Sequence, residues 1–226
     1  YAFGGGLNRT PVLMCAFPGN SMLARGKKLP GKIGSVVAGM RVITGIAKGR
    51  RLESVKGLRT RPTADRVKES LFSILGDRVS NAPFLDLFAG SGAIGIEALS
   101  RGAPKAVFVD NAKAAVQVIR RNLQRVGLAS FAEVYNIDVK RAIAILAKRE
   151  LEFGCIFMDP PYAQGKVVET LIAVGKSGLI GTDTLIVAEH CRSESVPEKI
   201  DILRRVRVQT YGDTEISFLI RQDSIA

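Results

Sequence analysis

From Pro83 onward, short apolar runs alternate with stretches of helical period, and this alternation predicts an α/β fold. Strands are predicted at residues 84–88, 106–110, 132–137, 154–158, 184–189, 203–210 and 215–221. Helices are predicted near 93–101, 112–125, 138–148 and 166–175; within 112–125, Ala115, Val116, Ile119 and Leu123 fall on one face. Repeated strand–helix–strand units require a mostly parallel sheet covered on both sides. Only Tyr211-Gly212-Asp213-Thr214 joins the last two strands, too little for a parallel crossover, so these form an antiparallel hairpin. Upstream, residues 41–58 read as a small β-hairpin turning at Lys48-Gly49-Arg50-Arg51. Thr63 then caps a helix with an apolar stripe of Val67, Leu71 and Leu75 beside Phe72.

Composition sharpens this picture. With 46% apolar residues in 226, the chain can bury a substantial core, and no run approaches the ~20 apolar residues of a membrane helix. Three scattered Cys suit neither a disulfide framework nor a zinc cluster, and one His argues against a multi-His metal site or a Ser-His-Asp hydrolase. No metal is expected, and a reducing, cytoplasmic compartment is. The net charge of +12 is uneven: the first 82 residues hold 15 basic against 4 acidic side chains, the remainder 18 against 17. A polyanion is the expected partner of the basic front. Residues 1–39, acid-free and aperiodic, read as a flexible basic appendage; 40–82 form a hairpin-and-helix unit, and 83–226 the main domain.

The first strand, Phe84-Leu85-Asp86-Leu87-Phe88, runs into Ala89-Gly90-Ser91-Gly92-Ala93-Ile94-Gly95. Glycines there permit a tight turn and close backbone approach to a ligand, while the next helix offers free N–H groups. Phe88, Gly90, Ser91 and Gly92 are the loop positions expected to line a nucleotide-like cofactor, with Asp110 at the end of the next strand accepting its ribose hydroxyls. The G-x-G-x-x-G spacing and an acid 20 residues beyond Gly90 also fit a dinucleotide. Asp86 favours S-adenosylmethionine: a carboxylate there would repel a pyrophosphate but can hold the cofactor's ammonium. Asp138 reads equally as a contact to adenine or as a helix N-cap.

The apolar strand Cys155-Ile156-Phe157-Met158 ends in Asp159-Pro160-Pro161-Tyr162, a stiff corner at the sheet edge where open α/β sheets bind ligands. The corner suits methyl transfer to an exocyclic amine. The lone pair of such a nitrogen is delocalised into its ring; the Asp159 carboxylate and the Pro160 carbonyl can each accept an N–H and favour a pyramidal nitrogen. Tyr162 can stack on an extruded base.

Asp86-Leu-Phe-Ala-Gly-Ser-Gly, Asp159-Pro-Pro-Tyr and the segment Met40-Arg-Val-Ile-Thr-Gly through Thr60-Arg-Pro-Thr-Ala-Asp-Arg-Val-Lys-Glu-Ser together resemble the bacterial 16S rRNA guanine-N2 methyltransferases, over residues 40–222. The resemblance implies a Rossmann-like class I methyltransferase with a seven-stranded sheet and a basic N-terminal hairpin that engages RNA. It implies methylation of a guanine 2-amino group in 16S rRNA, free or in the 30S particle. Arg61, Asp65 and Arg66 would then close over cofactor and RNA phosphate, and Arg41, Lys48, Arg50, Arg51, Lys56 and Arg59 would contact the RNA backbone. A monomer is expected. The alternatives are amino-methylation of DNA or another RNA, an NAD-dependent oxidoreductase, and a non-catalytic RNA-binding module. The oxidoreductase leaves Asp159-Pro-Pro-Tyr and the basic front unexplained, and the binding module leaves an intact glycine loop without purpose.

Overall fold

A computed structural model describes residues 40–55, 65–149, 151–161 and 165–224. The expectations at Lys56, Arg59, Arg61, Thr63 and Tyr162, and for residues 1–39, lie outside that set.

Helices α1 (Asp65–Leu75) and α2 (Arg78–Asn81) precede a sheet built from β1 (Phe84–Leu87), β2 (Ala106–Asp110), β3 (Ala132–Asn136), β4 (Phe153–Met158), β5 (Ile180–Cys191), β6 (Lys199–Ile200), β7 (Leu203–Tyr211) and β8 (Thr214–Arg221). The crossovers are α3 (Ala93–Ser100), α4 (Lys113–Val126), α5 (Val139–Ala147) and α6 (Lys166–Gly175). Strand order is β3-β2-β1-β4-β5-β8-β7-β6, parallel from β3 to β5 and antiparallel beyond. This is the Rossmann-like class I methyltransferase sheet, with β6 added as an eighth strand at the edge. Two residues carry no readable period, so β6 left no mark in the sequence. The terminal hairpin is tighter than expected: Tyr211 pairs with Thr214, leaving a two-residue loop in which Gly212 takes φ 62°.

Strand side chains alternate between two cores. Phe84, Phe108, Phe157, Val187 and Phe218 pack with Leu71, Phe72 and Leu75 of α1, with α3, and with Ile119 and Leu123 of α4. Leu85, Leu87, Val107, Ile156, Met158 and Ile186 pack on the opposite face with Ile143 and Leu146 of α5 and Leu171 and Val174 of α6. Burial on both faces explains why the parallel strands read as continuous apolar runs.

The expected N-terminal hairpin is present in a short form. Residues 40–55 form one antiparallel bridge, Arg41 with Arg51, around a compact loop. Val42 N–H donates to Arg50 O at 3.0 Å, Gly49 N–H to Val42 O at 2.9 Å and Leu52 N–H to Met40 O at 2.7 Å, and α3 satisfies further groups. The N–H groups of Ile43 and Thr44 donate to the Glu97 carboxylate at 2.7 and 2.9 Å, and Ala47 N–H donates to Ser100 Oγ at 3.0 Å. Val42, Ala47 and Leu52 join the same core as α1 and α3.

Candidate active site

The chain order of the sheet reverses between β1 and β4, and the two sequence motifs emerge there side by side. Leu87 pairs with Met158, and Asp159 N–H donates to Leu87 O at 3.4 Å, so the glycine turn and the proline corner leave neighbouring strands. Such a switch point opens a crevice beyond the strand ends.

The turn is shaped by three left-handed residues, Phe88 (φ 60°), Gly90 (φ 56°) and Gly92 (φ 78°). Phe88 pays a steric cost there that the glycines avoid. Two carboxylates fix the loop. Asp110 accepts Gly90 N–H and Ala112 N–H at 2.8 Å each, which leaves each oxygen a further lone pair. Asp86 Oδ2 accepts Gly95 N–H at 2.9 Å from beneath. A Cβ on Gly95 would stand 2.3 Å from Phe108 Cε1, so only glycine lets α3 approach β2 this closely. Asp86 is 2% exposed, and its pKa is pushed up to about 8, chiefly by burial and further by Asp110, against the opposing Gly95 hydrogen bond. The contact the structure gives Asp86 is thus the loop amide. Asp138 is the N-cap of α5, accepting Lys140 N–H at 2.9 Å through Oδ1.

In the corner, Pro160 is buried and Pro161 exposed. The Asp159 carboxyl is held well above the usual range, first by burial and then by the charges of Glu189 and Asp86. Glu189 went unnoticed in the sequence. Its one signal was an acid ending the apolar run Leu185–Ala188, as Asp110 and Asp159 end theirs. Asp86, Asp159 and Glu189 thus gather three carboxyl groups toward the C-terminal ends of β1, β4 and β5, and a bound cation would favour their ionised forms.

The basic segment reaches this site through Asn122 of α4, a fully buried residue that no sequence pattern singled out. Its Oδ1 accepts Glu53 N–H at 2.7 Å, and its Nδ2 donates to Glu53 O at 3.0 Å and to Ser91 O at 2.9 Å. Ser91 Oγ meets Met40 Sδ at 3.4 Å. Buried Lys68, bonded to Arg41 O at 2.6 Å, anchors the start of the segment. Of the residues expected to meet RNA, Lys48, Arg51 and Arg66 are exposed. Arg41 pairs with Asp65 at 2.9 Å, and Arg50 Nη1 donates to Arg125 O at 2.9 Å.

The family described as conserved hypothetical protein 95 matches residues 40–220. Ribosomal RNA small subunit methyltransferase D of Escherichia coli K12 is 36% identical over 158 residues, 70% of this chain and 78% of that one. The chain belongs to this family of bacterial rRNA methyltransferases. Another relative, YlbH of Bacillus subtilis 168, provisionally named an rRNA methyltransferase, is 45% identical over 178 residues, 79% of this chain and 97% of its own. Family membership extends to solved structures: the provisionally assigned methyltransferase YhhF of Escherichia coli superposes with TM-score 0.68 at 35% identity, covering 80% of this chain and 97% of that one. A methyltransferase solved in complex with SAH shares the fold alone, at 15% identity and TM-score 0.53 over 66% of this chain and 48% of that one.

Proposed function

We propose that the chain transfers a methyl group from S-adenosylmethionine to the exocyclic N2 of a guanine in 16S rRNA. The observation that carries this reading is the abutment of the Asp159–Pro160 corner on the glycine turn. Support for an rRNA substrate comes from the names of the relatives, and support for the cofactor from SAH in a protein of the same fold.

The residues present fit S-adenosylmethionine. Gly90 leaves open the space where a Cβ would stand, with Phe88 O the nearest atom at 4.0 Å, and the acidic strand ends supply counter-charge for a cation. Bound there, the cofactor supplies an electrophilic methyl carbon on a sulfonium. Gly90, Ser91 and Gly92 would hold its amino-acid end, Asp110 its ribose, and the neighbourhood of Asp138 its base. Asp159 and the Pro160 carbonyl accept the two N2–H bonds and turn the nitrogen lone pair toward the methyl carbon. Methylation would leave the nitrogen positive, and it would have to lose a proton. Asp159, whose buried setting raises its affinity for protons, takes it.

The test is nucleoside mass spectrometry of 30S subunits and free 16S rRNA after incubation with enzyme and labelled cofactor. N2-methylguanosine is the expected product; N6-methyladenosine, N4-methylcytosine, or binding of NAD in place of S-adenosylmethionine would overturn the reading. Asp159→Ala should lower kcat by about 10²- to 10³-fold, with the cofactor Kd within about threefold of wild type by calorimetry.

A further inference from the structure

Glu189 is a buried carboxylate that methyl transfer itself does not need. One acid and one carbonyl already meet the two N–H bonds of the reacting amine. A second acid beside Asp159 adds repulsion, and Glu189 is 8% exposed. Its position is set by the sheet. Met158 pairs with Ala188 across β4 and β5, which makes Asp159 and Glu189 the next pair on adjacent parallel strands. Phe157 and Val187, two residues before each, point into the same core, so Asp159 and Glu189 leave the same face of the sheet. Adjacent strands lie about 4.8 Å apart, so the two carboxylates are neighbours, and the charge of Glu189 helps hold the Asp159 carboxyl above its usual range.

Base chemistry gives this pair a use. The amino group of adenine or cytosine is flanked by a bare ring nitrogen, an acceptor. The 2-amino group of guanine is flanked by N1–H, a donor. A site that presents Asp159 to the amine and a second acceptor beside it therefore matches the guanine edge, and turns a carboxylate against a ring lone pair in either other base. We propose that Glu189 accepts the N1–H of the target guanine and so selects guanine over other amino-bearing bases. This rests on the reading of the reaction given above and names its specificity-determining residue.

The experiment compares two RNAs that carry guanine or 2-aminopurine at the mapped methylation position. 2-Aminopurine keeps the 2-amino group but has a bare N1. Wild-type enzyme should methylate guanine at least about 100-fold better in kcat/KM, as expected when a site built for a donor meets its absence. Glu189→Gln, whose amide N–H can face a bare N1, should lose about 100-fold on guanine and narrow the ratio to below about tenfold. Equal losses on both RNAs would mark Glu189 as merely structural and overturn the proposal, as would an unchanged ratio. Should Glu189→Gln fail to fold, judged by cofactor binding, the wild-type ratio decides alone: equal use of the two RNAs overturns the proposal, and strong preference for guanine sustains it. Product identity is read separately on unmodified rRNA. A product other than N2-methylguanosine would sink the reaction assignment, whereas N2-methylguanosine with an indifferent ratio would sink only the role of Glu189.

Discussion

Burial separates Asp86 from Asp110, although both carboxylates accept amides of the same loop. Asp86 has a folded pKa near 8 against an ordinary 3.8, so its charged form is disfavoured in the folded protein. Its contribution to stability is intact below pH 3.8 and is lost as the pH rises from there through 8. Asp86→Asn keeps an acceptor for Gly95 N–H and removes that loss. The variant should melt above wild type at pH 9, by an amount on the order of a few kcal/mol, with the gap closing toward pH 4. Its affinity for S-adenosylmethionine should fall at least about tenfold, because the amide carries no charge to balance the cofactor; thermal melts across pH and calorimetry check the two halves. At this scale the sequence disclosed residues whose meaning is local. The Asp-Pro-Pro corner and the glycine turn were legible because covalent geometry alone makes them stiff or permissive. Glu189 and Asn122 were not, since each acquires its role from a partner brought near by the sheet or by a helix: Asp159 is 30 positions away from the first, and Ser91 is 31 from the second.

Elements show the same division. The crossover helices and parallel strands matched their sequence periods, whereas the segment before α1 pairs as expected but owes much of its bonding to distant residues. Val42 and Ile43 are consecutive and both buried, and the amides of Ile43, Thr44 and Ala47 find their acceptors on Glu97 and Ser100, more than 50 residues on. Neither fact is visible in a local pattern. The segment is latched to the cofactor loop by Asn122, which gives a prediction for the element as a unit. Asn122→Ala strands Glu53 N–H, Glu53 O and Ser91 O, so it should cost about 2–4 kcal/mol in denaturant unfolding. Because Ser91 O loses its tether, KM for S-adenosylmethionine should rise several-fold, with kcat at saturating cofactor changing less. Steady-state kinetics at saturating RNA separates the two constants.

For the molecule as a whole, connection lengths went far toward fixing the topology. Helical crossovers force β1 to β5 parallel, and a two-residue loop forces β7 and β8 antiparallel. Among the described residues no helix is long and apolar enough to cross a membrane. Charge is the remaining global property, and it is concentrated before residue 83. Fold does not consume it evenly: Arg41 and Arg50 spend their guanidinium groups on Asp65 and on the end of α4, while Lys48 and Arg51 stand exposed on the loop that α3 holds in place. Ile46, 80% exposed on the same loop, adds an apolar contact that a phosphate backbone alone would not require. If Lys48 and Arg51 meet RNA phosphates, each releases counterions on binding, and a double Lys48→Gln, Arg51→Gln variant should lower the slope of log K against log salt by about 1.4–1.8. Filter binding to 16S rRNA between low and moderate salt measures that slope. The same variant should keep wild-type kcat once RNA saturates, because neither side chain lies at the strand ends where the methyl group moves. A slope unchanged by the double substitution would place the RNA on another face and leave the basic loop a solubilising surface.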